Sequence, residues 1–352
     1  MYRAVLPSAR SSETSMRNLH TLGIGSIEAL LLAVIAAMAI GLGLSTSTFL
    51  TLPNLFDLLN QSSVNLIFAV GLLVVLVAGG IDISFAVGAS VVQYLTALAM
   101  LRLGGGNWAL GVAAAAGFGF LLGAVNATII YRFRVVSIVA TIATFNVFFG
   151  GLMFATGGVS IYDLPDWWMN RISLLHVDTP SGAADLALPV AAMLVAVGAT
   201  WFLLQRTTLG RQLYAAGDNA EAARRVGISL GTMHYVAYGW LGMMAGIAGL
   251  MQAHYVQEVV PNALYGRELD VLAAVVLGGA RLGGGRGTVL GAILGIVLVS
   301  IAANGLNLLG VSPYAFKMIV GAVILIAITL SSDRVARLIG SRFPSSTARA
   351  PS

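Results

Sequence analysis

Apolar stretches of membrane-crossing length recur along the whole chain, divided by short polar connections. A bilayer core about 30 Å thick takes roughly 20 helical residues at about 1.5 Å each. Residues 108–130, 135–155, 186–204 and 288–309 carry no charge, and 235–256 holds only His254 near its end. Residues 27–44 form a first span with Glu28 at its edge, while 64–80, 86–101 and 314–330 are shorter and need their flanks. Residues 269–280 are too few to cross alone. They form either a half-helix that enters and turns back or a longer helix extended through 261–269. The pattern predicts an all-α integral membrane protein, a polytopic helical bundle of about ten transmembrane spans with broken or re-entrant helices. An eight-span form makes 269–280 and its neighbour re-entrant.

Orientation follows from where the positive charge falls, because cytoplasmic loops retain Lys and Arg. With ten spans and the N-terminus inside, Arg3, Arg10, Arg17, Arg132, Arg134, Arg206, Arg211, Arg224, Arg225, Arg281, Arg286, Arg334, Arg337, Arg342 and Arg349 all lie inside. Only Arg102, Arg171 and Arg267 lie outside, with Lys317 at the edge of a span. Both termini are therefore expected in the cytoplasm. Residues 1–26 and 341–352 lack apolar periodicity and read as disordered, within tails at 1–26 and 333–352 that flank a permease domain at 27–332. Two long loops remain, 156–185 outside and 205–231 inside.

Composition sharpens the exclusions. Of 352 residues, 58% are hydrophobic and 9% charged, against roughly 25% charged in a soluble domain, so a water-soluble enzyme is excluded. Cysteine is absent, and His20, His176, His234 and His254 lack the helical spacing of a metal site, so no metal is expected. The net charge of +5 is spread between apolar runs rather than gathered in a stripe, which argues against nucleic acid.

Polar groups inside spans are costly and are the first functional candidates. Asp82 and Ser84 lie in Ala78-Gly79-Gly80-Ile81-Asp82-Ile83-Ser84, where two glycines permit a helix to break. Asp82 can cap the following helix or stand beside a solute pathway. Asn65, Asn126, Asn146, Asn304 and Asn307 lie in or beside spans and can bond neighbouring helices or a polyol. Glycines four apart, Gly119 with Gly123, Gly242 with Gly246, and Gly287, Gly291 and Gly295, point to close helix packing. In the outside loop, Trp167 and Trp168 read as an interfacial aromatic belt, with a docking or sugar-stacking platform as the alternative.

A lone Asp82 with Asp270 and Lys317 at span edges makes a poor proton relay. The lysine sits in Phe316-Lys317-Met318, not in the Gly-Lys-Ser/Thr of a phosphate-binding loop, so any ATP hydrolysis belongs to a partner. The inside loop offers that partner a handle. Asp218 or Asn219 can cap a short helix, Ala220, Ala222 and Ala223 favour it, Glu221 suits its positive start, Arg224 and Arg225 suit its negative end, and Gly227 stops it.

These segments resemble the membrane permeases of binding-protein-dependent ABC importers for ribose, xylose, galactose and related sugars, a group that includes autoinducer-2 permeases. The resemblance runs from about residue 52 to 332. It rests on Gly79-Gly80-Ile81-Asp82-Ile83-Ser84, on 208–228, which looks like the coupling loop of such permeases, and on Glu268-Leu269-Asp270 through Gly278-Gly279. Gly283-Gly284-Gly285-Arg286-Gly287 and Asn304-Gly305-Leu306-Asn307 complete it. The pattern departs where Phe85 and Ala86 precede Val87-Gly88-Ala89-Ser90, turning later side chains by about 200° on a helix.

The resemblance implies a non-enzymatic permease of the bacterial inner membrane that pairs with a second permease. It implies a cytoplasmic ATPase carrying ATP and Mg, docked on Gly217, Asp218, Asn219, Glu221, Ala222, Ala223, Arg224, Arg225 and Gly227, and a periplasmic sugar-binding protein. The competing expectations are a self-contained, ion-coupled secondary transporter of a small metabolite and an intramembrane enzyme. The second of these lacks paired aspartates, histidine ligands or a Ser-His pair within spans.

Overall fold

The computed structural model describes residues 25–311, with Met318 and Gly321 beyond them. The two expected tails, apart from Gly25 and Ser26, lie outside the described residues, as do Lys317 and nearly all of the segment 314–330.

Eight helices of the described residues are long and apolar enough to cross a membrane. They are α1 (Ser26–Ser45), α2 (Leu52–Val77), α3 (Phe85–Arg102), α4 (Trp108–Arg132), α5 (Ser137–Thr156), α7 (Leu188–Arg206), α10 (Leu230–Val256) and α12 (Val289–Leu308). Between them lie the short α6 (Asp166–Met169), the hairpin strands β1 (Ser173–Thr179) and β2 (Gly182–Ala187), and the helices α8 (Thr208–Asp218), α9 (Ala220–Arg225) and α11 (Arg267–Leu277).

α2 and α10 are the buried pillars of the bundle, and α1 is the most exposed span. α10 packs on α4, α2 and α3. Its approach to α4 is set by the glycines. A Cβ on Gly119 would strike the Gly242 carbonyl, one on Gly242 would strike the Gly119 carbonyl, and one on Gly246 would strike that of Ala115. Backbones meet where lipid supplies no hydrophobic drive, so van der Waals contact holds the pair. Gly291 and Gly295 bring α12 equally close to the Gly278 and Ala274 carbonyls of α11. α1 attaches through Leu31 against Leu294 and Leu298, and Glu28 accepts a 2.8 Å hydrogen bond from Thr288, whose hydroxyl also caps α12.

Three expectations change. The span expected at 64–80 begins twelve residues earlier, because Thr51 and Pro53 start α2 at Leu52. Gly79-Gly80 breaks no span but makes a tight turn between α2 and α3, with Gly80 buried and Gly79 exposed and taking φ +88. The segment 269–280 gives the eleven-residue α11, at about 1.5 Å per residue too short to cross. Residues 261–266 turn rather than extend it, so the longer helix extended through 261–269 does not form.

The segment between α5 and α7 contains an antiparallel hairpin that hydrophobic periodicity does not announce. Asn60 of α2 ties it down, donating to the Asp185 carbonyl at 2.7 Å and accepting from the Ala187 amide at 2.9 Å. The tryptophans are neither belt nor platform. Trp168 is fully buried and donates to the Leu250 carbonyl at 3.2 Å, while Trp167 donates to that of Gly105 at 2.7 Å. His254 reaches the Trp168 carbonyl at 2.7 Å. Trp168 therefore pins the loop onto α10, and Trp167 pins it onto the turn between α3 and α4.

Candidate functional site

The polar residues gather in three places. The first is a buried knot at the α2–α3 turn. Asp82 Oδ1 accepts from the Ser84 amide at 2.6 Å and the Ser84 hydroxyl at 2.7 Å, and Oδ2 accepts from Asn126 Nδ2 at 3.0 Å. Asn126 Nδ2 also lies 2.8 Å from Ser84 Oγ, and all three residues are buried. The adjoining void is about 20 Å³, room for one water and no solute. Asp82, Ser84 and Asn126 thus fasten α4 to the start of α3.

The second is a polar cavity of about 320 Å³ between α2, α10, α11 and α12, within the range of small-molecule sites, roughly 300–1,000 Å³. Of the sequence candidates it holds Asn65 and Asn304. Asn65 Oδ1 accepts from Arg267 at 3.4 Å, and Asn304 exchanges hydrogen bonds of 2.9 and 3.2 Å with Asn54. Asn60, Gln61, Ser62, Gln252, Tyr255, Ser300 and Asp270 complete the polar lining. Starting the span at residue 64 hides this site, because it leaves Asn60-Gln61-Ser62-Ser63 in a loop. Inside α2, that polar run is the signal. Asn146 instead bonds back to the Ile142 carbonyl at 2.8 Å on the exposed side of α5, and Asn307 is exposed at the end of α12; neither joins the cavity.

The third is the loop 205–231. Asn219, not Asp218, caps α9, accepting from the Ala222 amide at 2.9 Å. Ala223 is buried, whereas Asp218, Glu221, Ala222, Arg224 and Arg225 are exposed. Glu221 pairs with Arg225 at 3.4 Å, and Gly227 ends the helix at φ +87. α8 rests on the bundle through the fully buried Leu213. At its end Gly217 lies so near the Val77 carbonyl that no Cβ fits, and a Cβ there would stand 2.7 Å from the Gly285 amide. The Gly285 amide itself donates to the Val77 carbonyl at 2.9 Å. Tyr214 donates to the Gly287 carbonyl at 2.7 Å, and burial pushes its phenol pKa up, so it stays a neutral donor. Gly79-Gly80, Gly217 and Gly283-Gly284-Gly285, far apart in sequence, form one backbone junction.

A family profile described as branched-chain amino acid transport system / permease component matches residues 54–328. The ribose import permease protein RbsC of Escherichia coli (strain K12) is 36% identical over 312 residues, 86% of this chain and 92% of the relative. RbsC of Bacillus subtilis (strain 168) is 31% identical over 82% of this chain and 88% of its own. The galactose/methyl galactoside import permease protein MglC of E. coli (strain K12) is 29% identical over 82% and 89%. No solved structure matches. The three segments that meet at the junction are among the five that carried the resemblance, and the chain belongs to the permease family of ABC importers that includes the ribose and galactose import permeases.

Proposed function

We propose that this chain is the membrane-spanning subunit of a binding-protein-dependent ABC importer of the bacterial inner membrane. It moves a monosaccharide or related small polyol by alternating access, paired with a second permease and driven by a separate ATPase docked on α9. The observation that carries this reading is the contact of Gly217 with Val77 and Gly285. A push on the loop 205–231 reaches, without an intervening side chain, both the end of pillar α2 and the turn between α11 and α12. Those helices wall the 320 Å³ cavity. A load at one end of the bundle is thereby coupled to the shape of a polar chamber in its other half, as alternating access requires.

Charge supports the orientation. Arg132, Arg134, Arg206, Arg211, Arg224, Arg225, Arg281 and Arg286 lie at the junction end, with Arg102, Arg171 and Arg267 toward the other, so the junction end is cytoplasmic by the positive-inside rule. On this reading both termini lie inside. In the cavity, amides and hydroxyls on three helices match the donors and acceptors of a polyol.

The deciding experiment is reconstitution in liposomes. Uptake is expected only when the ATPase, ATP and a loaded binding protein are present; uphill uptake by the chain alone under an ion gradient would establish the secondary-transporter reading instead. Glu221→Lys reverses the charge at the start of α9 and removes its pair with Arg225. Transport-stimulated ATP hydrolysis is expected to fall about tenfold, roughly 1.4 kcal/mol at the docking surface, with membrane insertion unchanged. Asn65→Leu removes one cavity hydrogen-bonding group, about 1 kcal/mol, and should lower uptake several-fold while the ATPase still binds; undiminished uptake would exclude the cavity from the route.

A further inference from the structure

A second concavity opens at the junction end, where α4 hands over to α5. Of about 550 Å³, it is lined by Arg132, Arg134 and Arg224 together with Val135, Val136 and Leu230. No acidic side chain lines it, and among the described residues no carboxylate lies within ion-pair distance of these three arginines. The neighbouring Arg225 is different, since its guanidinium is held by Glu221. The two adjacent arginines of α9 therefore face different work. Arg225 is held on the exposed face of α9 by Glu221, while Arg224 lines the cleft.

The corner is built at some conformational cost. Arg134 takes φ 55, a region L-residues other than glycine rarely occupy, and residues held there concentrate at binding and switch sites. α5 starts at Ser137, and its N-cap position is Val136, which offers no side-chain cap, leaving first-turn amides and the positive end of the helix dipole at the cleft. Arg132 ends one candidate membrane-crossing helix and Ser137 begins the next, so the cleft sits at a span boundary and is lined by both guanidinium groups and valine and leucine.

We infer that this cleft binds the headgroup of an anionic phospholipid, its phosphate held by Arg132, Arg134 and Arg224 and its upper acyl chain against Val135, Val136 and Leu230. One lipid then bridges the α4–α5 corner to α9, linking membrane composition to the position of the coupling loop. Soluble phosphate shares the anionic chemistry but not the apolar floor.

The test is native mass spectrometry of the full-length chain released from detergent and titrated with palmitoyl-oleoyl phosphatidylglycerol or the matching phosphatidylcholine. The expected result is one phosphatidylglycerol retained in preference to phosphatidylcholine. Each arginine contributes about fivefold near an anionic surface, so the double variant Arg132→Gln/Arg134→Gln should weaken that retention about 25-fold, and Arg225→Gln should leave it unchanged. Equal retention of the two lipids overturns the inference, as does an equal loss in Arg225→Gln or displacement of the lipid by millimolar inorganic phosphate. Should the double variant fail to purify, the lipid preference of the unaltered chain, with Arg224→Gln in its place, decides.

Discussion

Replacing Gly242 with leucine is expected to pry α10 from α4, so that the extracted chain elutes as aggregate where the unaltered chain gives a single species. The cause is local and severe. A Cβ at 242 already overlaps the carbonyl of Gly119, and that carbonyl belongs to a helix backbone that cannot step aside as a flexible side chain can. Overpacking a core costs about 1–3 kcal/mol and sometimes more; an entire leucine between two backbones belongs at the top of that range, about 3 kcal/mol. The glycines on the other face of α4 provide the control. Gly117 has open space where its Cβ would go, so Gly117→Ala should be tolerated and should gain roughly 1 kcal/mol of helix propensity. A thermal-melt and size-exclusion comparison of the two variants measures the difference directly. Equal stability of both would mean that α4 and α10 do not meet through these glycines.

The glycine periodicity of α4 and α10 was legible because spacing by four places residues on one face regardless of what the helix packs against. The local form of α9 was legible for a similar reason: a capping side chain, an acid in the first turn and a terminal glycine act within nine residues. The polar cavity was not. Finding it depends on where α2 begins, and that is fixed by Thr51 and Pro53 rather than by hydropathy, which rises only after the polar run at 60–63. The short α11 was left between two alternatives, since its partner surface, the glycine face of α12, lies elsewhere in the chain. Trp167 and Trp168 were misplaced because composition registers an aromatic pair near a boundary but not the carbonyls of Gly105 and Leu250 waiting to accept their N–H groups. In each case the illegible part is a contact between distant segments whose local sequence is satisfied by more than one environment. The arginines of α9 show the same limit at the finest scale. Sequence gives Arg224 and Arg225 one role as a basic helix end, and only the fold shows that one pairs with Glu221 while the other lines the cleft beside α5.

Asp82→Ala is expected to destabilise the chain by about 3 kcal/mol, since it strands buried donors of Ser84 and Asn126 at a cost of about 1–3 kcal/mol for each unsatisfied group. Asp82→Asn keeps an acceptor for the Ser84 amide and hydroxyl, and its new amide can be met by turning Asn126, whose Oδ1 has no hydrogen-bond partner in the native arrangement. That variant should lose only about 1 kcal/mol, the scale of one ordinary hydrogen bond. The two substitutions also separate fastening from passage. If the carboxyl group serves to hold α4 against the start of α3, uptake by Asp82→Asn, normalised to the amount of folded protein, stays close to that of the unaltered chain. A well-folded Asp82→Asn chain without uptake would instead move Asp82 onto the solute route. A thermodynamic cycle with Asn126→Ala completes the measurement: side chains in direct contact couple by roughly 0.5–3 kcal/mol, and a coupling near zero would show that the Asp82–Asn126 bond does not contribute to holding the two helices together.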